Sequence, residues 1–392
     1  MTVSWSVYIA LSAVMFLEYA VWGAWAPVLA ARLLGPLKMS GKQTGWIYST
    51  LPIACIISPL VAGQLADKYV NTEWILAGAH LIGAVMLFLA VRLRTFGSLF
   101  GVMMCYSLCF AATMPLVNSV LLVNVKDDAT RSWVFIWAPV AWALVGYFLT
   151  GWRNLRKSEG DGSDCLVMAA VLSVAMAAAC LLLPPTAPAN QGGMPIVDAF
   201  AKLSSPDFLV FILTSLVVAG MMQFYFLGSA QFMIDIGIPS RNVPASMGIA
   251  QAAQAIATLA ALGAVLDFLG YKWTLTVGAA CWLLMYAAYV ATRLRALIVG
   301  CQVLHGLAYV MFMIVGQIYA GKVGPEIPGS MQALIFAATT GVGLFLGTQL
   351  AGVVMDQCKA EGKFQWQKIW LVPLAIVLAG TLVLEFVFQG NV

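Results

Sequence analysis

The chain has 392 residues, of which 62% are hydrophobic and only 9% charged. Soluble domains carry about 25% charged residues, and disordered chains are polar and charge-rich, so both classes are excluded. The net charge of +4 is spread over scattered residues, without the basic tract that nucleic acid or anionic lipid would need. The apolar runs are long and unbroken, whereas an outer-membrane barrel alternates in short segments. A polytopic α-helical membrane protein remains.

A spanning helix needs about 20 apolar residues. Twelve runs qualify, near 6–32, 44–66, 74–92, 97–123, 133–152, 165–183, 208–234, 244–266, 273–292, 296–320, 330–355 and 369–388. Residues 1–183 form a first group of six and 207–392 a second. Residues 184–206, rich in Pro, Gly and Asn, read as the linker between two six-helix bundles, with an interfacial turn expected over Ile196 to Leu203. The opening residues MTVSWS lack a basic n-region, so the first run is expected to stay as a span. The eight cysteines show neither zinc nor redox spacing and read as small buried hydrophobes.

An internal repeat supports the two-bundle division. Gly63 and Asp67 follow the second span, beside Lys68, and Gly263 and Asp267 recur 200 residues later after the eighth. A looser echo is Gly352 to Asp356, at the end of the eleventh. Glycine permits close helix approach, and the acid can accept amides at a neighbouring helix start. The motif is therefore expected to act as a conformational clasp.

Twelve spans, the 6+6 division and the Gly63-Gln64-Leu65-Ala66-Asp67-Lys68 loop resemble the major facilitator superfamily. That resemblance implies two bundles rocking about a central substrate path. The first span narrows it: Phe16-Leu17-Glu18-Tyr19-Ala20-Val21-Trp22-Gly23-Ala24-Trp25 resembles the first-helix pattern of the nucleoside:proton symporter family. His80-Leu81-Ile82-Gly83-Ala84, Met114-Pro115, and His305-Gly306 leading to Gly321-Lys322-Val323 extend the likeness. The departures are specific. The arginine that the family implies near the start of span 5 is absent from Trp133 to Trp137. The acid implied in span 8 is Gln254, and Val310 stands where span 10 should carry another. Facilitated diffusion therefore stands beside proton symport.

Polar side chains in hydrocarbon are costly and usually face the bundle interior. Glu18 is the outstanding case, and Trp22 and Trp25 share its face at helical spacing. This stripe is expected to line the substrate cavity, with Glu18 binding substrate or carrying a proton. Asn118, Trp137, Gln223, Gln251, Gln254, His305 and Tyr309 complete the expected binding set, because amides offer donor and acceptor together. His80 reads as a structural donor. No ATP-binding loop and no protease or hydrolase motif occurs in the sequence, so no enzymatic activity and no cofactor or metal is expected.

The expected function is secondary or facilitative transport of nucleosides or similar polar ring-containing metabolites. The alternatives are a sugar or drug carrier of the same fold, or a transport-dead membrane sensor. The expected partners are the small-molecule substrate, protons and the lipid bilayer, with no nucleic acid, and the chain is expected to be a monomer. The resemblance implies a bacterial inner membrane with both termini cytoplasmic. Charge counting opposes that orientation: only Lys68, Lys126, Arg131, Lys202, Lys272 and Lys322 would then be cytoplasmic, six of twenty basic residues.

Overall fold

The computed structural model describes residues 3–126, 128–157, 161–188, 196–325 and 327–391. Its principal helices are α1 (Trp5–Trp25), α2 (Gly41–Lys68), α3 (Thr72–Arg92), α4 (Phe96–Asn124), α5 (Trp137–Arg156) and α6 (Asp164–Cys180). After the linker come α7 (Pro206–Asp235), α8 (Val243–Ala260), α9 (Leu262–Ala291), α10 (Arg295–Val323), α11 (Met331–Gln357) and α12 (Trp366–Phe386). Ten apolar segments among the described residues are long enough to cross a membrane. The helices at the sixth and eighth expected spans, α6 and α8, are shorter, with 17 and 18 residues.

Local chemistry sets the helix ends. Ser4 caps α1, its Oγ accepting from the Val7 amide at 3.4 Å. The expected first span breaks around Pro27 and resumes as a short helix, Leu29–Leu34, since proline cannot donate into a helix interior. Pro206 opens α7, where its missing N–H costs nothing. The stretch expected to form a turn over Ile196 to Leu203 is a helix over Ile196–Ala201 and a 3-10 turn over Lys202–Ser204. The stretch carrying Gly263 and Asp267 is helical up to Gly270, where φ is 67° and the backbone leaves the helix; the part of α9 past that kink is the ninth expected span, near 273–292.

By their contacts the residues fall into two compact units. The first holds residues 1–39, 53–192 and 239–248, and the second holds 40–52, 193–238 and 249–392. The first turns of α2 and α8 thus group apart from the rest of the half to which they belong in sequence. In the first unit, α3 packs on α6 and α4, and α1 packs on α6 and α5. Met15, Leu76, Val120 and Met176 belong to its core. Ion pairs tie its loops: Arg153 grips Asp164 through two bonds of 2.7 and 2.6 Å, and Asp161 lies 3.7 Å from Arg32 and 3.5 Å from Arg94. In the second unit, α9 packs on α12 and α10, and α7 packs on α11 and α12. Asp207 holds the end of the chain, accepting from the amides of Gln389 at 2.7 Å and Gly390 at 3.1 Å.

Candidate functional site: a buried acid–histidine pair and unpartnered amides

Glu18 is only 1% exposed, deep in the first unit. Its Oε2 lies 2.8 Å from His80 Nε2, and its Oε1 accepts from the Thr113 hydroxyl at 2.8 Å. The opposite ring nitrogen of His80 lies 3.1 Å from Ser173 Oγ. Four helices, α1, α3, α4 and α6, each contribute one member of this network. Both carboxyl oxygens are thus occupied by groups of the same unit. His80, expected as a plain structural donor, is the partner of Glu18. The available signal was that a buried acid needs a partner, and His80 is one of two histidines in the chain.

The expected Trp stripe divides. Trp25 is buried in the same unit, its indole donating to the Tyr106 hydroxyl at 3.0 Å, so a structural bond already uses its polar atom. Trp22 is half-buried and meets Trp142 edge to face at 5.3 Å between centroids. Trp137 packs edge to face on Phe16, and its indole nitrogen is buried without a hydrogen-bond partner. Asn118 Oδ1 is likewise buried and unpartnered.

The second unit separates amides of two kinds. Gln302 is fully engaged: it accepts from Tyr225 at 2.7 Å and donates to Tyr289 at 2.5 Å and to the Ile298 carbonyl at 3.0 Å. Gln223, Gln251 and Gln254 are also mostly buried, at 5–8% exposure; their side-chain amides bond nothing among the described residues, but their polar atoms keep access to solvent. His305 is fully buried, with Tyr225 stacked on its ring at 3.8 Å. Its Nδ1 accepts from the Trp282 indole at 3.1 Å, so the neutral ring carries its hydrogen on Nε2. That Nε2 has no partner. Tyr309 is half-buried at the start of a π-helical turn, Tyr309–Ile314. Such turns are frequent at functional sites. Gly306 sets the crossing of α10 with α8: a Cβ there would stand 2.0 Å from the Ala250 carbonyl and 2.9 Å from the Gln254 amide.

The clasp expectation needs correction. A Cβ at Gly63 or Gly263 would meet nothing within 4 Å, so neither glycine serves close packing. Asp267 is exposed and unbonded among the described residues, and Lys68 is exposed. The Asp67 side chain lies outside what is described. Of the motif acids whose side chains are described, Asp356 makes the bonds. Asp356 accepts from the amides of Gly41 at 2.5 Å and Lys42 at 2.9 Å. A Cβ at Gly352 would stand 2.6 Å from the Gly41 carbonyl. A parallel contact exists in the first unit, where Thr150 accepts from the Ala245 amide at 2.9 Å. Among the described residues no cluster of His, Cys, Asp and Glu could hold a metal ion.

Comparison with known proteins places this arrangement. A family model described as "Nucleoside H+ symporter" matches residues 5–392. The nucleoside permease NupG of Escherichia coli K12 is 27% identical over 96% of this chain and 93% of its own length. The xanthosine permease of the same organism is 25% identical over 98% and 97%. A crystal structure of the nucleoside transporter NupG superposes with a TM-score of 0.85 at 24% identity, covering 98% of this chain and 99% of that one. The fold is therefore an all-α transporter fold of the major facilitator type, and the protein is a carrier rather than an enzyme. The chain belongs to the nucleoside:proton symporter family.

Proposed function

We propose that the chain carries nucleosides across the bacterial inner membrane by alternating access, coupled to protons. One observation supports the binding site beyond family membership. Gln223, Gln251 and Gln254 keep side-chain amides that bond no protein group among the described residues and stay open to solvent, while Gln302 is engaged by Tyr225, Tyr289 and the Ile298 carbonyl. A nucleobase and a ribose each offer donors and acceptors that match such groups. Trp22, Trp137, Asn118, His305 and Tyr309 are assigned to the same task. The Nε1 of Trp137, the Oδ1 of Asn118 and the Nε2 of His305 are the unmet atoms among them. The internal repeat supplies two units within one chain, so the carrier is taken to act as a monomer.

The test is uptake of labelled uridine, adenosine and xanthosine into proteoliposomes, with and without an inward proton gradient. Saturable uptake of at least one is expected. Removing a buried hydrogen-bonding group costs about 1–3 kcal/mol, so Gln251→Ala and Gln254→Ala should each lower uptake about tenfold. Absence of saturable uptake for all three would overturn the reading. A second reading, facilitated diffusion, rests on the lack of any Asp or Glu from Gln302 to Val323. Uptake indifferent to the gradient would favour it.

A further inference from the structure

The network around Glu18 contains two hydroxyl groups, each with a choice of acceptor. Ser173 Oγ lies 3.1 Å from His80 Nδ1 and 2.9 Å from the His80 carbonyl. Thr113 Oγ1 lies 2.8 Å from Glu18 Oε1 and 2.7 Å from the Phe110 carbonyl. A hydroxyl has one hydrogen, so each can donate strongly to one of its two acceptors at a time.

Two complete bonding patterns follow. In the first, Ser173 donates to the His80 carbonyl and accepts from Nδ1–H. Nε2 then accepts the hydrogen of a protonated Glu18 carboxyl, and Thr113 donates to the Phe110 carbonyl. In the second, Ser173 swings its hydrogen onto Nδ1. Nε2–H then donates to an ionised Glu18 carboxylate, and Thr113 turns its hydrogen onto Oε1, where the bond is charge-assisted. The first pattern holds two hydrogens on the pair and no charge, and the second holds one hydrogen and one negative charge. They differ by one proton, and both ring nitrogens and Oε2 stay bonded in each; Oε1 gives up the Thr113 hydrogen only in the first pattern, where the carboxyl is neutral and its carbonyl oxygen needs a donor least.

We infer that Glu18 and His80 together form the proton-carrying site of this carrier, with Ser173 and Thr113 as the rotors that accommodate its two charge states. The inference rests on the proton-coupled transport proposed above. It places the coupling group in α1 and α3, whereas α8 carries Gln254 and α10 carries no acid. Glu18 and His80 are each 1–2% exposed. Tyr106 of α4 and Cys180 of α6 are the other titratable groups whose charge acts on or is felt from Glu18, a phenol and a thiol. α5 faces α1 with Trp142, beside Gly23. Among the described residues no lysine or arginine lies within ion-pair distance of Glu18.

Glu18→Gln tests the assignment, because an amide reproduces the shape and donor of the protonated carboxyl but cannot ionise. Infrared pH-difference spectra of the purified full chain should show a titrating carboxyl C=O band that disappears in Glu18→Gln. In Ser173→Ala, which keeps the pair but removes one rotor, its midpoint should move by at least half a pH unit. In proteoliposomes, where nucleoside counterflow is measured beside accumulation driven by an inward proton gradient, Glu18→Gln should lose that accumulation. A titrating band that persists in Glu18→Gln, no titrating band in wild type, or gradient-driven accumulation by the variant would overturn the inference. If wild type shows no counterflow of any nucleoside, the nucleoside reading fails, and the infrared measurement still decides whether the pair takes up the proton.

Discussion

Asp356 occupies both its carboxyl oxygens with the first two amides of α2, at 2.5 and 2.9 Å. Those amides have no partner inside their own helix, and the positive end of the helix dipole adds to the bond. Replacing a capping acid by alanine costs about 0.5–2 kcal/mol. Asp356→Ala should therefore lower the Tm of the purified protein, and Asp356→Asn, which keeps an acceptor, should lower it less. Equal melting curves for wild type and Asp356→Ala would refute the capping role. The same substitution logic at Asp267 predicts little change, since that residue is exposed and unbonded. In the sequence the two copies 200 residues apart looked stronger than the echo at Asp356. What decides the role is a helix start within reach, a tertiary fact that linear spacing does not carry. The same gap hid His80: its distance of 62 positions from Glu18 says nothing about their meeting across α1 and α3.

At the scale of elements, α8 and α10 cross at Gly306 with backbone close to backbone. A side chain there has only the Ala250 carbonyl and the Gln254 amide to push against, and neither is a flexible tip. Gly306→Leu should cost at least the 1–3 kcal/mol typical of overpacking, by moving α10 off α8 and displacing Gln254. The expected readouts are a lower Tm and reduced uptake together; normal stability with normal uptake would show that the helices yield at no cost. The helices themselves were largely legible, because hydrocarbon demands long apolar runs and leaves few other patterns. Their ends were less so. The break at Pro27 follows from a residue type and was readable as a kink. The helical turns on either side of Asp267 were not, since a Gly-Asp stretch resembles a loop until the helix around it is seen. The π-helical turns over Tyr309–Ile314 and Ala337–Gly343 left no readable trace in composition.

For the whole molecule, the expected topology and the charge count disagree. The expected topology has both termini in the cytoplasm, while fourteen of the twenty basic residues would then face outward. The expected outcome for a reporter fused after Val392 is cytoplasmic activity; a periplasmic signal would invert the topology and leave the fold untouched. The candidate binding residues were legible as a class, because amides inside apolar runs stand out. Their division was not, since Gln302 and Gln254 look alike in sequence. Only the positions of Tyr225 and Tyr289 reveal that one is saturated and the other is not.

That division has a thermodynamic side. Each buried polar atom without a partner is a standing cost, and Asn118 Oδ1, Trp137 Nε1 and His305 Nε2 are three of them. A bound solute that supplies the missing partners removes that cost and stabilises the occupied form by mass action. The carrier is then at its most fragile when it travels empty, and its cargo serves for a moment as part of its own interior.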